Sequence, residues 1–168
     1  MLSELDNYLS RIADLRAQVR ALITDLPAAA LNWRPIEASD DHATNSLAVL
    51  AAHIGGAEHF WITEVIGGRP ETRDRDAEFV TIVSDAAVLC QRLDAVADET
   101  HQVFALLDAA ALTGTREARG RMVTVRWGIL HIIDHTALHL GHMQLTYQLW
   151  MGGKATTSPL WFDRLPKD

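Results

Sequence analysis

The chain has a single cysteine, Cys90, in 168 residues, so it cannot form an intramolecular disulfide or hold zinc through several thiolates. It is also short of positive charge. Fifteen Lys and Arg stand against 22 Asp and Glu, a formal charge of -7 at pH 7, which is the wrong sign for binding nucleic acid and disfavours anionic membrane surfaces. No run approaches the roughly 20 apolar residues needed to span a bilayer. The first twenty residues, MLSELDNYLSRIADLRAQVR, mix charges into every turn and lack the apolar stretch of a secretion signal, so a cytoplasmic location is expected. Repeats and low-complexity blocks are absent as well. With 48% apolar and 22% charged residues, residues 1–168 read as one domain able to bury a core.

Four segments carry a helical period. From Ser3 to Thr24, Leu5, Leu9, Ile12, Val19 and Leu22 recur at three- and four-residue steps, and Pro27 follows as a stop. Residues 32–44, with Pro35 and Ser39-Asp40-Asp41, read as a loop ending where Thr44 or Asn45 can cap a second helix. That helix carries the stripe Leu47, Leu50, Ile54, Trp61 and Val65, with His53 beside it, and stops at Gly67-Gly68. The charged stretch Arg69 to Glu78 reads as a solvated loop. Ser84-Asp85 opens a third helix whose buried side is Leu89, Leu93, Val96, Val103 and Leu107. Thr113 to Met122 is too polar for a core element, with Val123–Val125 as a short extended piece. The fourth helix begins near Thr124 and runs about 28 residues to Gly152-Gly153, before a tail, 152–168, carrying Trp161-Phe162. Four such helices predict an all-α four-helix bundle.

Eight histidines are the unusual feature, four of them within residues 131–142. At 100° per residue His131, His135, His139 and His142 fall within an arc of about 80°. His135 and His139, at i and i+4, can share one divalent ion, but two ligands bind weakly. A third must come from another helix, and His53, on a largely apolar face where an unpaired imidazole is poorly solvated, is the best candidate. His59 points about 120° away from His53 and Glu64 lies about 16 Å along the helix, so neither is expected to reach the ion. His131 and His142 read as residues around the ligands, and Trp127 as the wall of a cavity. His42 and His101 read as surface residues, Arg126 as one side of a surface ion pair, and Cys90 as a small buried apolar group.

Two stretches resemble a known family. Asn45-Ser46-Leu47 through Ala52-His53 to Trp61, and Val123-Thr124-Val125-Arg126-Trp127 leading into His131, His135, His139, Gly141 and His142, are similar to the helix signatures of the DinB-like superfamily of metalloenzymes. That superfamily includes mycothiol- and bacillithiol-dependent S-transferases and a mycothiol-dependent maleylpyruvate isomerase. The resemblance spans nearly the whole chain and places His53, His135 and His139 on its metal-binding positions, where relatives carry HxxxH or ExxxH. It implies an up-up-down-down bundle and a homodimer. Leu140-Gly141-His142 stands where many members have arginine, glycine and glutamine, which is closer to the mycothiol-linked branch. A branch related to the isomerase also carries a separate C-terminal domain, and isomerase activity itself is not expected here.

Three imidazoles with an open fourth position suit zinc, with nickel as another acceptor of imidazole. The expected activity is transfer of a low-molecular-weight thiol to an electrophilic small-molecule substrate, the ion holding the thiol as thiolate. This accounts for a sequence without a recognisable nucleophile triad. The alternatives are a metal-dependent hydrolase and a non-catalytic metal-binding or stress-associated module.

Overall fold

Ser3 Oγ accepts a hydrogen bond from the Asp6 N–H and the Asp6 carboxylate accepts one from the Ser3 N–H, and this capping box starts the first helix, α1 (Glu4–Ile23). The computed structural model describes residues 3–37 and 44–153; His42, Ser39-Asp40-Asp41 and Trp161-Phe162 lie outside them. Pro27 begins the short α2 (Ala28–Asn32). The next helix, α3 (Leu47–Glu58), is capped by Ser46, which accepts from the Val49 N–H at 3.2 Å, and not by Thr44 or Asn45. Thr44 is occupied elsewhere, accepting the Ile36 N–H at 3.0 Å. Without a break, α3 continues into a π-helical segment, His59–Ile66, that closes with the Gly67 N–H on the Ile62 carbonyl.

Every residue of α3 is buried, where the sequence predicted one stripe. A rod apolar on all sides belongs at the centre of a bundle, and α3 packs against α5 and α6, while its Glu58 takes Arg16 from α1. The charged stretch before α5 also differs from expectation. Arg69 to Glu71 are exposed, but Asp74 then caps α4 (Arg75–Phe79) by accepting the Ala77 N–H, and Glu78 is fully buried against α3. Gly56 makes this possible: a Cβ there would lie 1.8 Å from Glu78 Oε1.

Asp85 accepts the Ala87 N–H at the start of α5 (Ala87–Phe104), which buries Leu89, Leu93, Val96 and Val103; Leu107, past the helix end, is only half-buried. The polar segment that follows forms a 3-10 turn (Ala111–Thr113) and a hairpin of β1 (Thr115–Ala118) and β2 (Arg121–Thr124), paired from Thr115 opposite Thr124 to Ala118 opposite Arg121. Its two-residue turn holds Arg119 at φ 50° and Gly120 at φ 80°, the positive angles that a type I′ turn requires. Ala118 packs this hairpin onto Phe60 and Val65. Thr124 then caps α6 (Val125–Trp150), accepting from the Trp127 N–H at 3.1 Å.

The all-α four-helix bundle is as expected; the helix directions are not. Arg20 bonds Asp94 and Thr24 touches Cys90, so α1 and α5 are antiparallel. Arg16 bonds Glu58, while Ile23 and Leu47 share one core cluster, so α1 and α3 are antiparallel too. Glu4 pairs with Arg126 while Ile23 shares a cluster with Met143, which makes α1 and α6 parallel. The order is therefore up-down-down-up rather than up-up-down-down. The long connection from Gly67 to Ala86, which contains α4, returns the chain along the bundle so that α3 and α5 run the same way.

A polar cluster interrupts the core. Arg16 and Thr100 both donate to Glu58 Oε1, tying α1, α3 and α5 together, and burial raises the Glu58 pKa against the pull of Arg16. Among the described residues no helix is long and apolar enough to cross a membrane.

Candidate metal centre

The antiparallel crossing of α3 and α6 sets the site. It puts Leu50 beside the 142–149 end of α6, His53 beside His135 and His139, and Trp61 beside Trp127 and His131. His53, His135 and His139 each bring one ring nitrogen to a common point, the three atoms lying within 4.8 Å of one another. No other His, Cys, Asp or Glu group among the described residues converges this way. The His53 and His135 Nε2 atoms are 3.1 Å apart. Two nitrogens bound to one tetrahedral zinc at about 2.0–2.1 Å stand about 3.3 Å apart, so the donor set fits a small divalent ion in both chemistry and spacing.

The electrostatics suit ligation, which requires neutral imidazoles. Burial, reinforced by the neighbouring His139 and His53, pushes His135 down to about 3. Burial likewise takes His139 to about 4, with His53 and His142 adding to it. At pH 7 both rings offer lone pairs. The His135 Nδ1 is buried without a partner, so Nε2 is the atom of that ring already turned toward a shared centre.

The residue that sequence reasoning missed is Glu78. His53 Nδ1–H donates to its Oε2 at 2.8 Å, which leaves the His53 Nε2 lone pair facing His135. Arg73 grips the same carboxylate through Nε at 2.7 Å and Nη2 at 2.8 Å. Burial alone would raise the Glu78 pKa; the Arg73 and His53 hydrogen bonds outweigh it and hold the group at about 2. An ionised carboxylate behind a ligand histidine fixes its tautomer and raises its basicity. The Asp74 cap and the apolar Phe79-Val80 after the charged run were the available sequence signals.

The flanking residues divide by position. His142 Nδ1 lies 3.4 Å from His139 Nδ1. His131 makes no hydrogen bond to His135, its ring lying 5.8 Å off; it stacks instead on Trp127, 5.0 Å between centroids and 4° between planes. Trp61 packs edge-on against both, and burial lowers the His131 pKa. Trp127 is 48% exposed and so closes that end of the seam from outside. Phe79 covers His53 at 5.0 Å.

Residues expected to stay away from the ion do so. His59 binds Glu99 Oε2 through Nδ1 and Thr72 through Nε2, and Glu64 accepts the Arg73 N–H. His101 is exposed and bonds the Ala97 carbonyl. Arg126 pairs with Glu4 at 2.8 Å on the surface. Cys90 is buried, lining a cavity of about 720 Å³ between the end of α1 and the start of α5 that holds none of the histidines.

Comparisons with known proteins agree with this fold. The sequence profile of the DinB superfamily matches residues 11–143. The crystal structure of a conserved protein from Enterococcus faecalis superposes with a TM-score of 0.70 over 90% of this chain and 99% of that one, at 15% sequence identity. No curated protein matches the sequence.

Proposed function

From the premise that the chain belongs to the DinB superfamily, we propose that it is a metal-dependent enzyme transferring a low-molecular-weight thiol to an electrophilic small molecule. The observation that carries this reading is the convergence of three imidazole nitrogens from two helices within 4.8 Å. His53, His135 and His139 would hold the ion, zinc foremost and nickel as the other candidate. A divalent ion so held supplies a Lewis acid that keeps a thiol ionised near neutral pH.

The chain's own residues then have defined tasks. Glu78, clamped by Arg73, holds the proton on His53 Nδ1 and so directs Nε2 inward. Phe79 packs over His53, and the Trp61, Trp127 and His131 stack fills the seam on the other side of His135. With Cys90 buried away from the histidines, the nucleophilic sulfur is that of the co-substrate, for which mycothiol and bacillithiol are the family's examples. A cytoplasmic homodimer completes the reading.

The test is incubation of the zinc-loaded and nickel-loaded chain with candidate thiols and a generic electrophile. Thioether formation that needs both metal and thiol supports the proposal. Metal-dependent turnover without a thiol points to a hydrolase. Metal binding without turnover points to a non-catalytic module, and turnover without metal contradicts all three.

A further inference from the structure

The α3–α6 seam has two ends, and they differ. On one side of the histidines it is filled by the interlocked rings of Trp61, Trp127 and His131. On the other it opens into a cavity of about 310 Å³. Both helices that carry the histidine cluster also line the cavity, and Pro35, Thr44 and Asn45 from the connection before α3 complete its described lining. Leu50 lies one turn before His53, and His142, Leu145, Thr146 and Leu149 occupy the turns that follow His139. His142 is shared by both, since it lines the cavity and touches His139 at 3.4 Å.

The chemistry of the lining is selective. Among the described residues that line it none is Asp, Glu, Lys or Arg, so a charged group placed there would meet no opposite charge from them. Three leucines supply the apolar surface, while Asn45 and Thr146 supply hydrogen-bonding groups. Leu145 and Leu149 are 56% and 46% exposed and leave apolar surface beside the opening, on a helix that also exposes Leu130 and Leu138. The volume is at the lower end of small-molecule sites, about 300–1,000 Å³.

We propose that this groove binds the uncharged, largely apolar body of the electrophilic substrate and presents its reactive end to the histidine cluster past His142. The proposal rests on the reading of that cluster as the metal site, and it narrows the substrate class to small neutral molecules with an apolar chain or ring.

The experiment uses the full-length, isotope-labelled chain, with and without zinc, titrated with linear primary alcohols from butanol to heptanol as neutral, unreactive stand-ins. Amide shifts are expected at Leu50, Leu145, Thr146 and Leu149, with Kd tightening about fourfold per added methylene until the cavity is full. Hexanoate, with the same chain length and a charge, should bind at least tenfold more weakly than hexanol. Leu145→Glu and Leu149→Glu alter exposed side chains, so the fold should tolerate them. Each should weaken hexanol at least tenfold while zinc affinity stays within twofold.

Shifts that map elsewhere, affinity independent of chain length, or equal binding of hexanoate would overturn the groove assignment. So would a change of oligomeric state in the glutamate variants without a change in alcohol affinity, which would make this surface a contact between copies of the chain. Alcohol binding that persists in a protein unable to bind zinc would refute the metal reading and leave the groove, so the two failures are distinguishable.

Discussion

Replacing Glu78 with alanine probes the part of the site furthest from the sequence pattern. The substitution removes the acceptor of the 2.8 Å bond from His53 Nδ1 and strips Arg73 of two bonds at 2.7 and 2.8 Å. Arg73 and Glu78 are 7% and 0% exposed, so the guanidinium would be left buried and unpaired. Breaking a buried pair from one side costs about 3–5 kcal/mol of stability. Losing the carboxylate behind a ligand histidine lowers metal affinity about 10–100-fold, or about 1.4–2.8 kcal/mol. The two effects can be separated by the double variant Arg73→Met, Glu78→Leu. It leaves no orphaned charge and should recover most of the stability while zinc affinity stays low. Thermal melts read the first quantity and competition with a chromophoric chelator reads the second. Zinc affinity within twofold of the parent in Glu78→Ala would refute the assigned role.

Three further outcomes follow from the same geometry. Gly56→Ala should reproduce the affinity loss of the Glu78 variants with helix content unchanged by circular dichroism, because the new Cβ would lie 1.8 Å from Glu78 Oε1. His135→Ala should abolish stoichiometric metal by elemental analysis and leave the helices intact, whereas global unfolding on metal removal would indicate a structural ion. In metal-free protein, acid should act through His135 and His139, whose folded values of about 3 and 4 lie below the ordinary 6.5. Between those limits the unfolded chain binds more protons, so stability falls as pH drops from 6.5 toward 4. Glu78 adds a second loss from 4.5 down to about 2, since its lowered value favours the folded state only while it is ionised. Urea midpoints across this range should show a shallower slope between pH 6.5 and 4 in the double variant His135→Ala, His139→Ala.

What was legible in the sequence lay within single elements. The period of residues 131–142 put four imidazoles on one face, and the Ser3, Thr124 and Gly152-Gly153 signals bounded their helices because caps act within one turn. His53 could be chosen because an isolated imidazole on an apolar helix demands a partner. What was not legible depends on approach between elements. Glu78 sits in a run of charges that reads as solvated, and only the missing Cβ of Gly56, twenty-two positions earlier, lets it reach His53. The helix directions depend on where the 67–86 connection lands, and no periodicity encodes that. His131 shares the face of the ligands, but its ring is engaged by Trp127 and Trp61.

X-ray absorption at the metal edge of the loaded chain tests the central claim most directly. Three nitrogen scatterers at about 2.0–2.1 Å are expected, with a sulfur at about 2.3 Å appearing when a thiol is added. A shell of four histidines that ignores the thiol, or a protein that takes up no metal, would contradict it.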